Sequence, residues 1–299
     1  MTLGKVLCVG HAVQDFLFSV PEIPSTPEKH RATRFTCVGG GPAATAAVTI
    51  ARLGGHALLA ARVGADAVAG LIEGELMEYG VDCRYLRRFS GCASSVSAVF
   101  VDQRGERLIV NYLDRSLPDS PDWLPHPSAI GVRAVLADTR WPAGALAVLQ
   151  AAREAGLPAV LDADRPIPPD GALLRAATHV AFSHAALSDY TGESDPVRAL
   201  AQAGLAGWCC VTVGADGVHV LDRGVHQHLP GFRVPVVDTL GAGDVWHGAF
   251  ALALAEGQCE ADAVRFASAA AALKVQRHGG RAGAPTRAEL DAFLSSNPG

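Results

Sequence analysis

From Ala134 onward the chain alternates short apolar runs with longer helix-like segments, and no other feature restricts its fold so severely. Strand-like runs at 133–137, 158–162, 178–182 and 207–213 are separated by helical spacing near 143–155, 170–176 and 185–204. Repeated β-then-α units return each strand parallel to the last, which predicts a largely parallel central sheet with helices on both faces. Lys5–Gly10 reads as a further central strand, and Pro42–Leu53 and Asp66–Tyr79 read as helices. A hairpin is expected at 217–229, turning at Asp222-Arg223-Gly224, followed by helices at 244–256, 260–275 and 286–294. No linker interrupts the pattern, so residues 1–299 are expected to form one α/β domain.

The rhythm breaks in two places. Cys83–Phe89, Ser94–Val101 and Arg107–Tyr112 alternate like strands, with Gln103-Arg104-Gly105 as a turn. Phe16–Val20 and Arg34–Val38 flank a proline-rich stretch. Together, about 12–38 and 83–115 predict a small sheet standing off the core. The net charge of -5 and the lack of any Lys/Arg run argue against nucleic-acid binding. No apolar stretch reaches the roughly 18 to 20 residues of a membrane-spanning helix. The seven cysteines include no C-x-x-C pair and several sit in apolar runs, as expected of thiols in a reducing cytoplasm. The first residues enter a strand directly, so a soluble, cytoplasmic protein without a signal peptide is expected.

Asp238-Thr239-Leu240-Gly241-Ala242-Gly243-Asp244 carries the most chemistry. Gly241 and Gly243 permit a tight turn that exposes consecutive N–H groups, and the helix behind it adds a partial positive charge. Such a loop holds a phosphate or a developing phosphoryl charge. Asp244 would repel phosphate, so its fitting job is to accept a proton from an attacking alcohol. An N-cap Asp after a glycine turn has the same spelling. Other polar residues fall at predicted strand ends, where ligands gather in open α/β sheets: Asp15, Gly39–Gly41, Asp138, Arg140, Asp162, Asp164, Thr212 and Gly214.

The 238–244 loop resembles the second signature of the ribokinase-like carbohydrate kinases, the phosphofructokinase-B family. The run Val38–Gly55, VGGGPAATAAVTIARLGG, resembles the first. The resemblance spans essentially the whole chain. It implies a ribokinase-like fold in which the small sheet is a lid over the sugar and often the dimer contact, so a homodimer is expected. It also implies that Asp244 is the catalytic base, assisted by the N–H groups of Gly241, Ala242 and Gly243. Asp15 matches the carboxylate that holds sugar hydroxyls, beside Gly40 and Gly41. Thr212, Gly214 and Gly217 resemble a T-x-G-x-x-G nucleotide element near the phosphates of ATP. Mg2+ is expected with ATP, and a monovalent cation is admitted. Asp162 and Asp164 are candidates to reach the metal through water. The N-x-x-E motif usual in the family is missing from Ser183-His184-Ala185-Ala186, which leaves the metal shell open. His11, His184, His247 and His278 read as ordinary polar or core residues.

Lys29, Asn111 and Arg140 form a set suited to an anionic sugar, since Arg and Lys recognise oxyanions. With the Gly279–Gly283 tail, where Arg281 could serve the same anion or anchor the loop, they resemble the branch of the family that phosphorylates 6-deoxy-6-sulfofructose at its 1-hydroxyl. A fructokinase or another sugar kinase of the family is the alternative. A catalytically silent sugar or nucleotide sensor is a third.

Overall fold

The computed structural model describes residues 4–104 and 106–298. In chain order the first half comprises β1 (Lys5–Gly10), β2 (Val13–Ser19), β3 (Arg34–Gly40), α1 (Pro42–Arg52), β4 (His56–Gly64), α2 (Ala67–Glu78), β5 (Asp82–Phe89), β6 (Val96–Val101) and β7 (Arg107–Tyr112). There follow β8 (Ala134–Asp138), α3 (Pro142–Glu154), β9 (Ala159–Ala163), α4 (Ala172–Ala176), β10 (His179–Ser183), α5 (His184–Thr191), α6 (Pro196–Gln202) and β11 (Trp208–Thr212). The chain then forms β12 (Val218–Asp222), β13 (Val225–Leu229), α7 (Ala242–Ala255), α8 (Glu260–Val275) and α9 (Arg287–Ser296).

Nine strands make one sheet in the order β13-β12-β11-β10-β9-β8-β1-β4-β5. Every pairing from β11 to β5 is parallel, and the β12–β13 hairpin adds antiparallel to β11. Alternation along β1 explains the layering. Val6 and Cys8 enter a core beneath α1 and α7, whereas Leu7 and Val9 enter a second core beneath α3. A four-stranded sheet, β3-β2-β6-β7, stands apart.

The structure departs from two expectations and adds one strand. The strand expected at Cys83–Phe89 belongs to the large sheet, because β5 pairs in parallel with β4; the small sheet uses only 13–40 and 96–112. The helix expected over 185–204 is two helices. α5 ends at Thr191, and α6 starts afresh with Pro196 at its first position and the Asp195 side chain accepting from Arg198 N–H at 2.8 Å. β4 was not anticipated: HALLAARVG is alanine-rich and buried on both faces, so it shows neither alternation nor a run of β-branched residues. Gly105 of the expected turn lies outside the described residues. The Asp222-Arg223-Gly224 turn falls where expected, between β12 and β13.

The helix pair α1 and α7 lies under the middle of the sheet, and glycine permits its close approach. A Cβ on Gly248 would lie 2.6 Å from the carbonyl oxygen of Ala46. Gly248→Val is therefore expected to destabilise the protein by about 1–3 kcal/mol through overpacking, read as a lower denaturant midpoint at unchanged slope.

Candidate functional site

Parallel strands bring their carboxyl ends to one edge, and carboxylates collect there. Asp138 closes β8 and Asp162 lies beside it in register on β9. Asp138 is buried, and its carboxylate rests against Gly10. It accepts the N–H groups of His11 at 2.8 Å, Ala43 at 3.1 Å and Arg140 at 2.8 Å. One side chain thus ties the end of β1, the first turn of α1 and the end of β8 together.

Two helices open into the space above these ends. α1 follows Gly41, whose φ of 94° places its α-carbon hard against the His11 carbonyl, where a side chain has no room. α7 follows Gly241, at φ 73°, and the position of a Cβ there is 3.5 Å from Thr45 Cγ2 of α1. The two N-termini therefore sit side by side, but Ala43 and Ala44 N–H of α1 are already taken by Asp138 and His11 O, so it is the end of α7 that makes the cleft attractive to anions. One of the three expected loop donors is diverted, because Ala242 N–H donates to Thr239 O at 3.1 Å. That leaves Gly241 and Gly243 of the three.

Asp244, in the first turn of α7, is half-buried. Desolvation pushes its pKa up to about 7, repulsion from Asp162, Asp138 and Asp164 adds to this, and His247 opposes it. Burial raises Asp162 well above the carboxylate range as well, helped by the charges of Asp138 and Asp164. His247 is buried, with Nδ1 2.7 Å from Gly243 O and Nε2 3.2 Å from Ala181 O. Its Nε2 also faces Asp162 Oδ1 at 3.5 Å. Burial holds this imidazole below its usual pKa, so we assign it as neutral with the proton on Nδ1, the nitrogen with the shorter contact. The ring tethers Gly243 to the strand ends, a part that its position in the sequence did not suggest.

Thr212, Gly214 and Gly217 meet Thr239, Ala242 and Gly243 in one cavity of about 320 Å3. Its remaining wall is largely apolar, from Val218, Phe232, Val236, Ala271 and Val275. The expected nucleotide element and the glycine loop thus line the same space. Among the described residues no group of three or more His, Cys, Asp or Glu side chains is arranged to hold a metal ion. Asp164 is engaged by Arg140 Nη2 at 3.3 Å and by the Ser183 hydroxyl at 2.8 Å.

On the small sheet, Asp15, Ser97 and Asn111 lie in one row across β2, β6 and β7. Asn111 Nδ2 donates to Ser97 Oγ at 3.0 Å. Desolvation raises the Asp15 pKa against hydrogen bonding from Ser97, and Gly40 leaves room for the Asp15 carboxylate. Arg140 is not near this row by any hydrogen bond; its charge acts, with that of Arg62, on His11. Lys29 lies exposed in the stretch between β2 and β3, and the structure does not bring it to either group. Arg281 is buried, with Nε 3.1 Å from Glu75 Oε1 and its two Nη atoms unpartnered against Gly39.

Asp238 proves to be a second hub. Its carboxylate accepts from Leu240 N–H at 2.9 Å, from Gly279 N–H at 3.2 Å and from Arg107 Nη2 of β7 at 2.5 Å. Its backbone oxygen accepts from Lys274 Nζ at 2.7 Å. Backbone donation to that carboxylate, with the Lys274 and Arg107 charges, lowers its pKa to about 2 despite desolvation. Sequence reading registered Asp238 only as the first letter of the loop. The lone lysine in the apolar run of α8 was the signal overlooked.

Known proteins match this architecture along its whole length. The family model described as pfkB family carbohydrate kinase matches residues 3–287. A crystal structure from Agrobacterium tumefaciens, provisionally described as a ribokinase, superposes with a TM-score of 0.93 at 38% identity, covering 98% of each chain. Arabidopsis thaliana ribokinase, solved with ribose and ATP, gives a TM-score of 0.86 at 26% identity over 98% of this chain and 99% of its own. The ATP-dependent ribose-1-phosphate kinase of Halopiger xanaduensis is 30% identical over 97% of this chain and 98% of its own.

The folded Asp244 carboxyl holds its proton more tightly than the unfolded one, whose pKa is near 3.8. Its contribution to stability is therefore full below about pH 4 and is lost as pH rises through about 7. A carboxyl-detected NMR titration should show a step near pH 7, moving downward in Asp162→Asn because a repelling neighbour is gone. An unmoved step would dissociate the two groups.

Proposed function

The chain belongs to the pfkB family of carbohydrate kinases and is an ATP-dependent sugar kinase, and on that premise we propose that Asp244 is its catalytic base. The observation that carries this reading is the position of the Asp244 carboxylate in the first turn of α7, behind the Gly241–Gly243 turn and beside α1, where desolvation pushes its pKa up to about 7. A base with that pKa can take a hydroxyl proton near neutral pH, whereas an ordinary Asp is too weak. The cavity lined by Thr212, Gly214 and Gly217 takes the nucleotide, its apolar wall suiting a flat heterocycle. The Gly241 and Gly243 N–H groups and the helix end bear the charge of the transferring γ-phosphoryl group. The sugar oxygen attacks phosphorus in line, its O–H proton passes to Asp244, the bond to the bridging oxygen breaks, and ADP leaves.

Asp15 and the backbone at Gly40 and Gly41 hold the sugar hydroxyls, with the small sheet as lid. Closing it excludes water that would otherwise take the phosphoryl group. We infer that Mg2+ would enter with the nucleotide rather than into a preformed protein cage, since Asp162, Asp164 and Asp244 bear on one another and a divalent ion would relieve that repulsion. Asp162 and Asp164 would hold it through water, and it would neutralise charge on the ATP phosphates.

For the sugar, we infer an anionic ketose, most specifically 6-deoxy-6-sulfofructose phosphorylated at its primary 1-hydroxyl. The support is the placing of Arg140 and Arg62 near His11, each also paired with a carboxylate (Asp164 and Asp119), and Asn111 in the Asp15 row. Lys29 would join only by movement of its exposed loop. The relative named for ribose 1-phosphate shows that an anionic sugar is within the family's range. A neutral pentose is the second reading, favoured by the ribose-bound Arabidopsis enzyme. The small sheet also exposes Phe35, Ile109, Val110 and Tyr112, and we infer that a second copy covers them in a homodimer.

Asp244→Asn is expected to keep ATP affinity in calorimetry while kcat falls by about 10²–10⁴-fold. Near-normal turnover would remove the base assignment. ADP release with a panel of sugars should show the sulfonated ketose preferred. Arg140→Ala should raise KM for it about 10–100-fold while leaving neutral sugars almost unaffected; equal effects on both would point to the neutral-sugar reading.

A further inference from the structure

Lys274 is a fully buried charged side chain that phosphoryl transfer, as described, does not use. It projects from the last turn of α8, whose other buried residues are alanines, Val264 and Phe266. Burying an ammonium is unfavourable unless oxygens replace its water, and burial does lower its pKa, with Asp238 opposing. The oxygens come from one residue: Nζ donates to Asp238 O at 2.7 Å and lies 3.4 Å from Asp238 Oδ2. Asp238 opens the glycine loop. Val237 and Asp238 N–H groups donate to Val275 O at 2.7 and 3.0 Å, so the same end of α8 holds the loop by backbone as well.

We propose that the Lys274 ammonium is a built-in monovalent cation that positions the loop. It anchors Asp238 so that the turn through Gly241 presents its N–H groups toward the space above Asp244. A free monovalent ion beside the loop would need these oxygens, which the ammonium already takes. The residues present therefore do not fit the monovalent cation that the family resemblance admits. Arg107 adds a second positive charge to the same carboxylate, but from the surface-exposed β7, 30% exposed where Lys274 is 0% exposed. Only Lys274 is thus a permanent part of the loop's base. Lys274 is a positioning residue: it acts on the reaction through Asp238 and the loop and touches neither sugar nor nucleotide. The proposal rests on the loop's assigned role in phosphoryl transfer.

The test compares wild type, Lys274→Met and Lys274→Arg in K+, NH4+ and tetramethylammonium chlorides at constant ionic strength. Wild-type turnover is expected to change less than about twofold among the salts, because its cation is covalently attached. Lys274→Met should lose about 30-fold or more in kcat with sugar KM little changed. K+ or NH4+, but not tetramethylammonium, should restore at least about fivefold, as small ions enter the vacated space. Lys274→Arg should recover part of the loss without added ions. Strong dependence of the wild type on K+, normal turnover of Lys274→Met, or a loss that no small cation repairs would each overturn the proposal. If Lys274→Met does not fold, the wild-type salt series still decides. ATP binding by calorimetry separates this from the kinase reading. A wild type that binds no ATP sinks that reading, whereas an ATP-binding, active wild type that requires K+ sinks only the role of Lys274.

Discussion

The approach of α1 to α7 is the constraint from which the rest follows. Gly248 against the Ala46 carbonyl lets the two axes draw together, and their first turns then meet at Thr45 and Gly241. Each helix end alone carries a fraction of a positive charge. Two ends side by side, above carboxylates closing β8 and β9, set opposite charges a few ångströms apart. On the proposed reading, the anionic ligand and the proton acceptor would have separate places in this cleft.

The same arrangement explains why so many carboxylates are tolerated. Asp138 spends its charge on three backbone N–H groups and behaves as a structural pin. Asp164 is answered by Arg140 and Ser183. Among the described residues Asp162 and Asp244 accept no such hydrogen bonds, and desolvation together with repulsion from the neighbouring carboxylates raises both pKa values. The cost of crowding the carboxylates therefore falls on these two groups, which hold their protons more tightly than an ordinary Asp.

Much of this was legible from one dimension. β1 and β8 through β11 announce themselves because strands buried on both faces are short continuous apolar runs between helical segments. The 238–244 loop is legible because glycine, glycine and aspartate at that spacing have a direct electrostatic meaning. β4 was illegible because alanine carries no strand preference, and the membership of β5 in the large sheet depends on a partner chosen by the tertiary fold. The part played by Asp138 was hidden since strand-end aspartates are common and its three donors come from separate elements. Lys29 and Arg140 illustrate the opposite case. Their chemistry was easy to name from sequence, yet the fold leaves one in an exposed loop and engages the other with Asp164.

Arg107 reaches from the small sheet to Asp238, and Asp238 governs the loop that faces the nucleotide cavity. That single ion pair links the small sheet to the glycine loop, so that a shift of either is felt by the other. Any ligand that strengthens the grip of Arg107 on Asp238 would, by reciprocity, be coupled by the same factor to any ligand of the loop.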